Sequence, residues 1–340
     1  MSFPNILPLE VPLEVGLTPY QMIGIPIAII GAVLMSISAM LQHRGVAKVE
    51  EGSGTHGSEG LGAQQFWKLL QRPSWLFGTL LIGVAILCQL GALHFAPLVV
   101  VQPLGVVSLI VTTLVTARQT RRRLQRGKII AVMTSVIGIA GFVSVAATVA
   151  TDSRVTDRQV ITVMVVALAV ALTTTVAFLF LRHTRARNLF YIIAGGVLYG
   201  FVATFAKVIL ARLQTDGIDV YTLLCATGLL LTLLVGGYFV QTAYATGTTE
   251  MVIAGLTVVD PIVAVTIGIV VLGEVAGATV VTYVLFGILG AIAVLGVFLL
   301  ELAQSEDEIH AARRHALGIA TGEIDTLATD TATGEDEAGR

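Results

Sequence analysis

The chain has 340 residues, 55% of them hydrophobic and 12% charged, with a net charge of −2 and a mean hydropathy of +0.88. A soluble domain is nearer a quarter charged, and the apolar residues here fall in long runs, so a water-soluble globule is excluded. No global basic field exists for nucleic acid. Cys88 and Cys225 sit inside apolar runs without metal-ligand spacing, which argues against a disulfide framework or a protein-held metal.

Residues 1–19 carry Glu10 and Glu14 and no basic residue. A secretory signal would begin with positive charge, so this segment reads as extracytoplasmic and the first span as a retained anchor. A span needs roughly 20 apolar residues to cross about 30 Å of hydrocarbon. Nine stretches qualify: 20–42, 74–94, 98–117, 129–149, 159–181, 189–211, 220–241, 251–272 and 279–301. Lipid offers no water to open backbone groups, so each is expected to be helical. The fold class is an all-α membrane protein.

The loops between spans set orientation. The loop 118–128 holds Arg118, Arg121, Arg122, Arg123, Arg126 and Lys128 without an acid. The loop 182–188 holds Arg182, Arg185 and Arg187, and the long Gly- and Ser-rich loop 43–73 holds Arg44, Lys48, Lys68 and Arg72. All three fall on one side if spans alternate. Positive loops stay cytoplasmic, so the arginines are topology anchors, the N-terminus is outside and the C-terminus inside. Residues 303–340 form an acidic cytoplasmic tail. The plasma membrane is the expected location, and the arginine-, alanine- and valine-rich composition points to a bacterium.

Shifting the sequence by 152 residues aligns two halves: Gln89 with Gln241, Val100 and Leu104 with Val252 and Leu256, and Gly138 with Gly290. A shift of 164 aligns Gly31 and Ala39 with Gly195 and Ala203, and His43 with Lys207. The first repeat is then 20–149, the second 189–301, and 159–181 links them. Partners lie five spans apart, so the second copy is inserted upside down. Inverted repeats recur in secondary transporters, with the substrate at their interface near the midplane.

Ionisable groups inside hydrocarbon are costly and face the bundle or a cavity. Asp260 lies in the middle of the eighth span, before Pro261, which removes a backbone donor and disfavours helix at the preceding residue. Unwinding at that pair, with a cation, proton or substrate amine held by Asp260, is the expectation. Lys207 reads as snorkelling to the interface, pairing with Asp260 or meeting an anion. His43 would be its counterpart at the other mouth. Gln89 and Gln241 bridge the halves or touch substrate. Gln102, beside Pro103, is a first-half break point. Tyr199 is a candidate cavity wall. Glu274, near the outer end of the eighth span, is a candidate cap or gate.

Two stretches carry a family likeness. One is GALHFAPLVVVQPLGVVSLIVTTLVT (91–116), followed by a basic loop and GKIIAVMTSVIGIAG (127–141). The other is QTAYATGTTEMVIAGLTVVDPIVAVTIGIVVLGE (241–274). Both resemble the drug/metabolite transporter superfamily, EamA-like in pattern, and the first resembles its nine-span NIPA branch most. That resemblance implies transport, and for NIPA proteins magnesium. Small multidrug exporters of the superfamily use a glutamate in the first helix, whereas 20–42 has no acid.

No phosphate-binding loop, His-Glu-x-x-His pattern or sizeable extramembrane domain occurs, so neither an enzyme nor an ATP-driven pump is expected. The first expectation is a secondary transporter with alternating access, moving a small organic metabolite or drug. Magnesium is second, a lipid-linked intermediate flipped between leaflets third, and a non-transporting scaffold the last. Expected partners are the substrate, the bilayer and a second copy in a homodimer. No cofactor is expected.

Overall fold

The computed structural model describes residues 19–53, 71, 73–119, 126–151, 154–182, 184, 187–246, 249–300, 302 and 303. The N-terminal segment, Arg121 to Arg123 and the acidic tail lie outside these. Among the described residues there is no strand, and nine helical spans are long and apolar enough to cross a bilayer. In chain order they are α1 (Pro19–Ser53), α2 (Pro73–Phe95), the pair α3 (Leu98–Leu104) and α4 (Val107–Gln119), α5 (Arg126–Val149) and α6 (Asp157–Leu181). Then follow α7 (Arg187–Thr215), α8 (Val220–Thr246), α9 (Thr249–Val270) and α10 (Val280–Leu300).

Several helices run past the expected spans, and one span is broken. The first helix runs past 42 to Ser53, because Ala47, Lys48, Glu50 and Glu51 are helix formers and the Gly/Ser run begins only at Gly52. The third span is broken. Gly105 and Val106 donate to Gln102 and Pro103 at 3.1 and 3.3 Å, three residues back, where the α-helical pattern would need four. Pro103 cannot donate, and Gly105 adds no helical preference of its own.

Polar residues mark the helix ends. Thr156 and Gln159 form a reciprocal capping box at the start of α6. Asp219 accepts from the Thr222 amide at 2.8 Å and caps α8. Gly217, at φ +74°, ends α7 in the left-handed region and donates to the Arg212 carbonyl at 3.0 Å.

The helices pack as α1 on α2 and α7 on α8, with α4 beside α1 and α9 beside α7. Between these groups α2 and α3 meet α7 and α9. The most enclosed helix is α7, which buries Phe201, Phe205, Leu198, Lys207 and Arg212. At the other extreme, α6 buries little beyond Val160, Val163 and Ala167 and sits at the periphery. Small residues let α5 and α10 approach: Gly138 lies against Ala293, Gly296 against Ser135, and Gly141 against Leu289. As the α5 number rises the α10 number falls, so these two helices run antiparallel. Gly83 and Gly287, by contrast, face open space.

Two ends of the bundle can be told apart by their loops. Arg118, Arg126, Arg182 and Arg187 stand at one, here the basic end. The loops 95–98, 150–156, 216–219 and 271–279 stand at the other, the far end.

Candidate functional site

Between α1, α2 and the α3–α4 break on one side and α7 and α9 on the other lies a cavity of about 450 Å³. Its walls are mostly apolar, with Ala32, Met35, Leu90 and Val202 among them. Six polar or ionisable residues interrupt that lining: Gln89, Gln102, Ser108, Tyr199, Thr257 and Asp260. The residues come from 31–108 and from 199–261, so the cavity sits where the two proposed repeats face each other.

Asp260 is the acid of this wall. Its Oδ1 is buried and has no hydrogen-bond partner among the described residues. A buried carboxylate oxygen left unpaired is costly unless a ligand or water completes it. The expected unwinding at Asp260–Pro261 does not occur, since α9 stays helical from Thr249 to Val270. A proline inside a helix removes one backbone bond, and neighbours in a bundle absorb the loss. The bond removed here would have reached the carbonyl of Thr257. That residue lines the cavity. The broken helix appears instead in the first half, beside Gln102.

Gln102 is 7% exposed and Gln89 is half-buried; both reach the cavity. Tyr199 does too, and Pro261 forms part of the wall. Gln241 does not. It is exposed, near the basic end of α8, and stands apart from the cavity residues. An amide that close to a helix end can meet water or headgroups and needs no bundle partner. His43 lies within α1, but its side chain is outside the described set, as are Arg121, Arg122 and Arg123. Arg118 and Arg126 are exposed at the basic end.

Lys207 does not snorkel to the interface. It is 2% exposed, and its Nζ donates to the Leu93 carbonyl at 2.8 Å and the Ala96 carbonyl at 3.1 Å. These carbonyls end α2, where a cation complements the negative end of the helix. Glu274 does the converse. Its carboxylate accepts from the Leu98 and Val99 amides, both at 2.8 Å, at the start of α3. Glu274 is 3% exposed.

Farther toward the far face, buried Arg212 donates to Asp157 at 2.8 Å and to Asp219 at 2.7 Å, and lies 3.7 Å from Asp216. Arg154 pairs with Asp216. The Thr222 hydroxyl first, and then Arg212, pull the Asp219 carboxyl down to about 2. The Arg154 guanidinium, helped by Thr215, holds Asp216 below the usual carboxylate range. This network ties the α7–α8 turn to the start of α6.

Sequence reasoning passed over Ser108 and Thr257. A signal for Ser108 existed: the 152-residue shift that pairs Gln89 with Gln241 also pairs Ser108 with Asp260. Nothing in the sequence distinguished Thr257 from the other threonines in the spans. Among the described residues no group of three or more His, Cys, Asp or Glu could hold a metal ion between them.

Comparison with known proteins gives a family. The profile described as magnesium transporter NIPA matches residues 20–306. An uncharacterized protein of Corynebacterium glutamicum is 26% identical over 256 residues, covering 75% of this chain and 86% of that protein. No solved structure matches.

Proposed function

The chain belongs to the NIPA magnesium-transporter family, and from that premise we propose that it carries a hydrated cation, magnesium foremost, through the Asp260 cavity by alternating access. The observation that carries this reading is the buried, unpartnered Oδ1 of Asp260, a residue in the wall of a central cavity whose other polar groups are neutral. A lone carboxylate among neutral amides and hydroxyls attracts a cation and repels an anion.

One carboxylate is enough for magnesium if the ion keeps its water. Mg²⁺ dehydrates reluctantly and is usually held by one or two carboxylates with several waters retained. Six waters at about 30 Å³ each occupy about 180 Å³, well inside the 450 Å³ available. Gln89, Gln102, Ser108, Tyr199 and Thr257 then bond to the water shell. The antiparallel α5–α10 crossing and the matching α1–α2 and α7–α8 packing support two inverted halves that rock about the cavity. The arginine loops support a cytoplasmic basic end. The largely apolar wall supports a second reading, a small organic cation, which would bury its carbon skeleton against Met35, Leu90 and Val202.

The test is flux in proteoliposomes, comparing wild type with Asp260→Asn. Magnesium entry that is lost in the variant supports the reading, and magnesium entry equal in both sinks it. Competition by an organic amine, with no magnesium movement in either protein, would favour the second reading.

A further inference from the structure

Lys207 and Glu274 stand on the second half of the chain, in α7 and in the turn after α9. Every bond described above for their charged groups goes to the first half. Lys207 holds the carbonyls of Leu93 and Ala96, and Glu274 holds the amides of Leu98 and Val99. The segment they grip, 93–99, is the tight turn between α2 and α3. Two opposite charges therefore clamp the two helix ends that meet in a single turn.

The turn also borders the cavity. Leu93 lines the cavity and offers its carbonyl to Lys207. Just beyond it Ala96, Leu98, Val99, Val100 and Val101 are fully buried, as are Phe205 and Val208 of α7. This buried layer lies between the cavity and the far end. A transporter must open it without dissolving the helices on either side.

We propose that Lys207 and Glu274 are the far-end gate: they hold the 93–99 turn shut over the cavity and release it when the halves rock. Hydrogen bonds across the gate are made to helix ends, so they can break without unwinding a helix. Each partner is charged, so the closed state is favoured strongly while dry and weakly once water enters, because water competes for both ions and dipoles. This assignment rests on the alternating-access reading above, and its test separates the two.

The test uses the full chain with Cys88→Ser and Cys225→Ser. Leu98→Cys and Gly268→Cys are added, because a Cβ at Gly268 stands 3.5 Å from that of Leu98, within the usual disulfide span; it also stands 2.9 Å from the Glu274 carboxylate, so the reduced protein's own flux is the reference. In proteoliposomes, oxidation is expected to stop magnesium flux relative to the same reduced protein, and reduction to restore it. Flux that persists at full crosslinking overturns the gate. A second measurement needs no transported ion. A single Ala96→Cys in the cysteine-free chain is labelled from the far face with a membrane-impermeant maleimide. Glu274→Gln and Lys207→Met are each expected to raise the labelling rate about tenfold by shifting population toward the open state. Unchanged labelling in monodisperse variants overturns the proposal even if magnesium proves not to be the substrate.

Discussion

Gly200 of α7 lies against the backbone of Asp260: a Cβ built on Gly200 would stand 3.0 Å from the Asp260 carbonyl oxygen and 2.8 Å from the Cβ of Val263. The absence of a side chain at Gly200 thus lets α7 approach the stretch of α9 that carries the carboxylate. Gly196, one turn earlier, meets Val259 in the same way.

Gly200→Ala should therefore push α9 from α7 and displace Asp260. Overpacking of this kind costs about 1–3 kcal/mol. The initial rate of magnesium flux is expected to fall while the protein stays folded. Gly83→Ala is the control, because nothing lies within 4 Å of its Cβ; its stability should hold or rise by up to about 1 kcal/mol. Thermal midpoints in detergent check both, and equal flux in Gly200→Ala and wild type would refute the first.

The two repeat-related amides should behave differently. Gln89→Ala removes a cavity group and is expected to weaken flux, chiefly through apparent affinity. Gln241→Ala changes an exposed side chain outside the cavity and should leave flux alone. Concentration-dependent uptake by the two variants decides it.

Lys207→Met leaves the Leu93 and Ala96 carbonyls without their buried donor. A buried group left unsatisfied costs roughly 1–3 kcal/mol. A lower unfolding midpoint in mixed micelles is expected. Lys207→Arg keeps the charge and should recover part of the loss.

Asp219 gives a pH dependence with a definite sign. Its carboxyl is held down to about 2 by the Thr222 hydroxyl and then by Arg212. A depressed carboxyl stabilises the fold above its unfolded value of about 3.9, and that contribution is lost as pH falls through the folded value. The α7–α8 turn should thus keep its full stability at pH 5 and weaken only below about pH 4. Asp219→Asn should be less stable than wild type at pH 7, with the gap closing toward pH 2. Thermal unfolding across that range is the measurement, and a gap that widens on acidification would contradict it.

Gly138→Leu should be more damaging than any of these. Gly138 faces the backbone of Ala293, and backbone cannot swing aside as a flexible side chain can. The α5–α10 crossing is expected to separate, with loss of monodisperse protein on size exclusion. Gly287→Leu on α10 meets open space and should express normally.

The spans were legible because hydrocarbon enforces a simple rule: long apolar runs must close their backbone bonds internally. Asp260 could be picked out on the same ground, as an acid where acids are expensive. The break in the third span was half legible, from Gln102–Pro103. The equal signal at Asp260–Pro261 misled, since a proline's effect depends on what surrounds it. Gln241 misled too, because sequence similarity between repeats does not say which amide lies deep and which lies at a helix end.

By itself the sequence determined the class of molecule, the number of its spans and the position of its one midspan acid, because these follow from local hydropathy and from the charge of the loops. It could not determine which charged side chains meet which helix ends. Lys207 with Leu93 and Glu274 with Leu98 are more than a hundred residues apart, and only packing at the far end brought them together. The cavity was likewise decided by tertiary structure, being a space between helices that no single helix encodes.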